Sequence, residues 1–345
     1  MPTCARSPSV ETGLYRAAVV GCGRIGCGFD DDSRRGYVAS HAGALHRSPR
    51  FELAALCDVD FDRVRQYSEK LGVEGRYRDF RVLLDEESPD LLSVCTHADT
   101  HEQIVVTAAD AGVRAILCEK PLAPTLDAAD RMIRACQQRG ALLFTGHQRR
   151  FDPAHRAAAD ALRTGALGSV QQVTCYYTAG IHNTGTHLLD LLRLLFGDAL
   201  WVQGAYSHAA APDPRDPNID AIIAFEHAPR VVLSACDVRH YTVFEVDVLA
   251  AEGRLRIGSH GFDFEFEAAA PHPRFSGYRG LERTSAPFEV DSPREFLLAT
   301  MDHIAACLDG QATPCSTGVD GRMALELILA LKESADHGGR TISLP

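Results

Sequence analysis

The residues whose types and spacing could do chemistry together stand at the head of an apolar helix. Gly180–Leu195 reads GIHNTGTHLLDLLRLL. If the segment is helical, Asn183 and His187 are four apart and share one face. That face could hold a metal, a buried polar knot, or the acid–base end of an active site. A metal would draw on His182 and His187 with His97, Asp99 and His101. His182 and His187 are five apart, however, and do not stack on one helical face, so no metal is expected. A satisfied core histidine is the stronger alternative for His187, because LLDLLRLLF beyond it is core-facing. Gly185 argues against that. Glycine in the first turns of a helix costs about 1 kcal/mol, which makes sense where a ligand approaches closely. An imidazole with an unperturbed pKa near ~6.5 suits proton transfer, and catalytic work is expected of His187.

A second constellation lies near the start. Immediately after the apolar Ala17–Val20 comes GCGRIG, with Gly21, Gly23 and Gly26 in the pattern G-x-G-x-x-G. The first glycine allows a tight turn, the second lets backbone approach a pyrophosphate, and the third lets helix and strand pack closely. Arg24 and Ile25, inside this turn, are expected against the cofactor. The next apolar run ends in CDVD, and Asp58 stands where an acid accepts hydrogen bonds from the adenosine ribose. Asp58, Asp60 and Asp62 would repel a 2′-phosphate, so NAD is expected rather than NADP, although Arg63 could accommodate one. Gly26 and Asp58 are 32 residues apart, where about 20 is usual for this fingerprint. The excess, GFDDDSRRGYVAS at 28–40, is either a flap over the ligands or a tolerated surface insertion.

These residues need elements to position them. Ala17–Val20, Leu53–Cys57, Leu91–Cys95, Ala115–Cys118 and Leu142–Thr145 are short apolar runs suited to strands buried on both faces of a parallel sheet. Helix-like Phe61–Leu71, Thr100–Ala111 and Thr125–Arg139 alternate with them, which predicts a doubly wound α/β domain over 1–148 with residues 1–13 as a tail. From Phe151 the texture changes to one helix, Pro153–Thr164, the Gly180 segment, and then consecutive strands. Ile219–Phe225, Val231–Asp237, Thr242–Ala250 and Arg254–Gly258 predict a meander, and Phe262–Phe266 alternates phenylalanines with acids. The second domain, 149–345, is therefore expected to be α+β: an open, mostly antiparallel sheet packed on helices. A helix within Pro287–Pro314 precedes the last one, Val319–Ala335, expected to pack back on the first domain.

Composition excludes other classes. A formal net charge of −11 with no long basic run is a poor match to a phosphate backbone, so no nucleic-acid partner is expected. No run approaches the roughly eighteen apolar residues of a membrane span, and the N-terminus lacks a secretory apolar region. The eleven cysteines are scattered without a CxxC pair, which suits a reducing cytoplasm.

One further motif names a family. CEKPLA at Cys118–Ala123, together with GCGRIG, CDVD, GHQRRFDPA at Gly146–Ala154, GTHLLDLLRLLFG and GRMALELILALKESA, resembles the Gfo/Idh/MocA oxidoreductases. The resemblance implies that Lys120 sits at the nicotinamide end, bonded to the reacting hydroxyl. A cation there stabilises developing alkoxide, and burial tunes its pKa. It also implies that Glu119, Thr96 and His101 line the nicotinamide ribose, and that a special peptide before Pro121 aims the lysine. The family pattern D-x-G-x-H has Asn183 where aspartate usually stands. Asparagine takes no proton but still hydrogen-bonds a hydroxylated substrate, leaving the proton to His187 or Lys120. Arg150, Tyr177 and Thr186 are expected in the substrate pocket, with Tyr176 and Arg149 as further wall residues. The implied activity is NAD-dependent hydride transfer at a carbinol of a sugar, cyclitol or nucleotide sugar. The alternatives are redox-neutral cleavage through transient oxidation, or a non-catalytic dinucleotide-binding regulator. Homodimers or homotetramers are expected through the C-terminal sheet, with Phe264 in the contact.

Overall fold

The computed structural model describes residues 14–288, 290 and 295–345. The expected tail at 1–13 lies outside them. All five apolar runs form strands of one parallel sheet: β1 (Tyr15–Val20), β2 (Phe51–Cys57), β4 (Leu91–Val94), β5 (Ala115–Cys118) and β6 (Leu142–Thr145). A three-residue edge strand without an apolar run, β3 (Gly75–Tyr77), completes the order β3-β2-β1-β4-β5-β6. Leu83 and Leu84 of α3 (Phe80–Glu87), with α4 (Ala98–Asp110) and α5 (Leu126–Arg139), cover one face. On the other face lie α1 (His41–Arg47) and α2 (Phe61–Leu71). They are joined there by Leu297, Met301 and Ile304 of α8 (Phe296–Leu308), so the first core borrows a helix from the C-terminal half of the chain.

The glycine turn does not run straight into a helix. Residues 23–29 coil once, with Cys27 N donating to Gly23 O at 2.9 Å. The chain then leaves on the 28–40 excursion, and α1 takes up where it left: His41 N and Ala42 N donate to Ile25 O and Gly26 O at 3.0 and 2.9 Å. The excess residues are thus inserted inside the first helix. Asp30 fastens the excursion's return, its Oδ1 accepting from Ala39 N at 2.7 Å and its Oδ2 from the Ser40 hydroxyl.

The second half builds α6 (Pro153–Arg163), β7 (Val170–Tyr177), α7 (Thr186–Phe196), β8 (Ala199–Tyr206), β9 (Ile219–Phe225), β10 (Ala228–Ala235), β11 (Phe244–Ala250), β12 (Gly253–Gly258), β13 (Asp263–Pro271) and β14 (Arg279–Thr284). The last helix is α9 (Gly318–Asp336), and β15 (Ile342–Ser343) closes the edge. The sheet order is β14-β13-β12-β11-β7-β10-β9-β8-β15, antiparallel except for β10 beside β7. Side chains of α6, α7 and α9 bury one of its faces. On α9, Arg322 Nε pairs with Asp130 of α5 at 3.0 Å, and Gly321 lets Thr145 of β6 approach where any Cβ would collide with its hydroxyl. Among the described residues no helix is long and apolar enough to cross a membrane.

The Phe262–Phe266 alternation faces inward, which corrects the expected role of Phe264. Phe262 precedes β13 and stacks on Phe296 at 5.0 Å. Phe264 meets His155 edge-on at 5.0 Å, and Phe266 is buried. The acids between them turn outward, where Glu265 and Glu267 pair with Arg256 and Arg254, each at 3.3 Å. The open face of the sheet therefore offers charge ladders with Tyr176 and Leu249, both exposed, rather than phenylalanines.

Candidate active site

A cavity of about 1050 Å³ opens at the C-terminal ends of β1, β2, β4 and β5 and runs to the head of α7. That is where the strand order of the parallel sheet reverses, between β1 and β4, and where ligands of open α/β sheets bind. At one end the glycine turn forms a cradle. Gly21 has φ +101, and a Cβ there would meet the Cys95 carbonyl carbon at 2.6 Å. Gly26 admits no side chain, while Gly23 faces open space. Arg24 and Ile25 line the same wall. Asp58 is locked at the end of β2, accepting from Cys22 N at 2.7 Å and Asp60 N at 2.8 Å. A backbone cradle open at the second glycine, with a fixed carboxylate beyond it, fits a dinucleotide.

At the other end stand Lys120, Asn183, Thr184 and His187. The segment before α7 is a wide turn, Ile181–Gly185, rather than the regular α-helix expected from Asn183 on. Asp216, from the β8–β9 connection, holds it, accepting from His182 N at 2.8 Å and Asn183 N at 3.0 Å. Lys120 Nζ reaches across to Asn183, donating to its backbone oxygen at 3.0 Å and to Oδ1 at 3.2 Å. Burial lowers the Lys120 pKa against the opposing charges of Glu119 and Asp216. His187 is half-buried at the cavity wall. Desolvation, then the cations Lys120 and Arg149, hold its pKa well below the usual histidine range, so the ring is a neutral base.

Residues 15–147 match the oxidoreductase family with an NAD-binding Rossmann fold, Gfo/Idh/MocA. A myo-inositol 2-dehydrogenase of Thermotoga maritima is 36% identical over 342 residues, covering 93% of this chain and 96% of its own. The chain belongs to the Gfo/Idh/MocA oxidoreductases. A D-apiose dehydrogenase of Paraburkholderia graminis is 30% identical over 357 residues, 93% of this chain and 88% of that one. The WlbA dehydrogenase of Bordetella pertussis, solved with NADH and UDP-GlcNAcA, shares the fold with a TM-score of 0.77. That likeness covers 96% of this chain and 99% of that one at 23% identity. The first sheet of this oxidoreductase is thus its NAD-binding domain.

The expected site residues divide in two. Gly21, Gly23, Arg24, Ile25, Asp58, Thr96, Glu119, Lys120, Asn183 and His187 line the cavity. Glu119 does so from a buried pair, its Oε1 3.0 Å from His41 Nε2. Burial raises the Glu119 carboxyl, but His41 and Lys120 outweigh it and keep the group ionised.

Four expected contacts are corrected. His101 lies behind the wall, its Nδ1 and Nε2 each 3.1 Å from the Leu122 and Thr96 carbonyls, and braces the two loops. Tyr177 is fully buried, its hydroxyl donating to Ile219 O at 3.0 Å and accepting from Ile219 N at 2.7 Å. Thr186 and Arg150 lie one layer below His187. There Thr186 Oγ1 meets His147 Nε2 at 3.3 Å, and Arg150 pairs with Asp190 at 2.8 Å and Asp320 at 3.1 Å. Each was drawn toward the cavity by sequence position, and each points into a core.

Sequence reasoning missed His41, His147 and Asp216, which act through other residues. The run HAGALHR offered one signal, a histidine opening an otherwise apolar helix. The 28–40 excursion supplies Phe29, Arg35 and Tyr37 to the cavity wall, and the Tyr37 ring sits 5.8 Å from that of Phe262. It is a wall between the two halves rather than a remote surface insertion.

Proposed function

We propose that this oxidoreductase oxidises a carbinol of a polyhydroxylated substrate, a sugar or cyclitol, with NAD as its cofactor. The observation that carries this is the pair of a neutral, half-buried His187 and a cationic Lys120 facing one end of the cavity whose other end fits a dinucleotide. The glycine cradle and Asp58 hold the pyrophosphate and the adenosine ribose. Bound NAD supplies the hydride acceptor. His187 accepts the hydroxyl proton as the carbinol carbon becomes a carbonyl. Lys120, oriented by Asn183, donates to the same oxygen and offsets the charge that develops on it. Asn183 cannot take the proton itself, so the acid–base role rests on His187. The substrate class is carried over from the dehydrogenase relatives, which are named for myo-inositol and D-apiose.

We also propose that the chain is cytoplasmic, where its ten described cysteines, all free, stay reduced. The experiment is NADH absorbance with purified protein, NAD and a panel of sugars and cyclitols, with wild type and His187→Ala side by side. NADH formed by wild type alone supports the reading. NAD binding without net reduction, yet with a changed product by mass spectrometry, would replace it with a redox-neutral reaction.

A further inference from the structure

The charges at the substrate end do not balance. Lys120 and Arg149 line it, while Glu119, the carboxylate beside Lys120, is taken up by His41. Asp58 belongs to the dinucleotide end, held by Cys22 N of the glycine turn, and Asp99 lines the cavity from the first turn of α4. We propose that the substrate carries an anionic group, a carboxylate or a phosphate, and that Arg149 is the residue that receives it. This rests on the hydroxylated-substrate reading above.

The contrast between two neighbouring arginines makes the case. Arg150 is spent on structure, between Asp190 and Asp320. Arg149 has no carboxylate within ion-pair distance among the described residues, although its Nε is buried and unbonded. The guanidinium lies 3.8 Å over the Phe244 ring, and Nη2 donates to His260 O at 2.6 Å. Gly261 closes over it, since a Cβ there would fall 2.6 Å from Nε. Stacking, one carbonyl and a glycine therefore fix the plane of the fork without neutralising its charge.

A desolvated cation without a counter-ion is costly unless a ligand supplies one, and a planar, immobilised guanidinium is suited to bidentate capture of an anion. Burial pushes the Arg149 pKa down to about 10 and outweighs the charges of Asp152 and Asp190, which raise it without forming an ion pair with the guanidinium. Phe262 and Phe296 wall the cavity on this side, beside the polar Gln148, Asn183, Thr184 and His260.

The test is calorimetric binding of glucose, glucuronate and glucose 6-phosphate to the NADH-loaded protein, in wild type, Arg149→Gln and Arg149→Lys. At least one anion is expected to bind about tenfold or more tightly than glucose, as befits a hydrogen bond to a charged group. Whether glucuronate or the phosphate wins tells carboxylate from phosphate. Arg149→Gln should erase the preference and Arg149→Lys restore part of it, with NADH affinity unchanged in both as the check on folding. Equal binding of all three ligands, tighter binding of glucose, or no binding of either anion at millimolar concentration overturns the proposal. NADH formed from neutral polyols alone would leave the dehydrogenase standing and remove the anion site. Anion binding that depends on Arg149, with no substrate oxidised, would do the reverse.

Discussion

Lys120 Nζ donates to both oxygens of Asn183, at 3.0 Å to the backbone and 3.2 Å to Oδ1, and so ties the end of β5 to the head of α7 across the cavity. The lysine arrives from the NAD-binding sheet and the asparagine from the other half of the chain, so this contact fixes the two walls of the cavity against each other at the end away from the glycine turn.

Replacing Asn183 separates its orienting role from charge. Asn183→Leu removes a hydrogen bond to an ammonium, a loss of about 1.5–3 kcal/mol, or roughly ten- to hundredfold in kcat/KM. Asn183→Asp should retain activity and place a carboxylate beside Nζ, raising the Lys120 pKa that burial now lowers. The alkaline limb of the pH–rate profile should then move to higher pH. A limb that stays in place would separate Lys120 from it.

In the proposed reaction His187 acts as a base only while neutral. Burial, and then the charges of Lys120, Arg149 and His147 that face it, keep it neutral below the ordinary histidine range. The acid limb of kcat/KM should accordingly fall below about pH 6.5, the model-peptide histidine value. His187→Ala should lower kcat by roughly 10²–10⁴ while leaving the NADH Kd unchanged, and should abolish that limb. An acid limb persisting in the variant would assign it elsewhere.

Asp58 should decide between NAD and NADP. Its two oxygens are held by backbone amides at the rim of the cavity, with Arg63 and Arg78 lining the same end. Asp58→Ser removes the charge that repels a 2′-phosphate and leaves those arginines to meet one. The ratio of NAD to NADP affinity, measured by fluorescence quenching, should fall tenfold or more. An unchanged ratio would show that discrimination lies outside Asp58.

Much of this was legible in the sequence where a local rule has one outcome. Apolar runs such as LLSV and AILC have to be strands buried on both faces, and Gly21 and Gly26 sit where only glycine fits. The sequence failed where direction rather than type matters. Arg149 and Arg150 are identical and adjacent, yet one lines the cavity and the other joins the buried Asp190 to the half-buried Asp320. Tyr177 alternates with Tyr176 along β7, and only the sheet's packed face determines which is buried. HAGALHR reads as helical, but its continuity with the glycine turn is hidden because thirteen inserted residues interrupt the period, and only backbone bonds such as His41 N to Ile25 O show it. Asp216 lies 33 residues from the Asn183 amide it fixes, a separation no spacing rule covers.

We propose that copies of this chain pair through the open face of the second sheet. Its ladders, Asp247 with Arg254 at 2.6 Å and Arg256 with Glu265 at 3.3 Å, are satisfied within one chain, and Tyr176 and Leu249 stand exposed among them. Tyr176→Asp with Leu249→Asp places like charge at the centre of such a contact. Sedimentation should shift to smaller species; the same profile as wild type would sink the idea. Phe264→Asp, by contrast, should unfold the packing around His155 instead of dissociating anything.

Acid should destabilise the fold before it denatures most proteins of this composition. His101, His147, His155 and His187 all have pKa values lowered, first by burial. The unfolded chain takes up protons at these histidines near pH 6.5, whereas the folded chain does not until lower pH. The unfolded state therefore binds more protons, and stability falls as pH falls. The full contribution is present above about pH 6.5 and is lost below it, at up to about 1.4 kcal/mol per pH unit for each group. Calorimetric Tm between pH 8 and pH 5 should be level at first and then drop. His155→Asn, which removes one such group, should lower Tm at pH 8 yet make the drop shallower. A Tm level down to pH 5 would mean that these rings take up protons as readily in the folded chain as in the unfolded one, and the acid limb assigned to His187 would then lie near the ordinary histidine value.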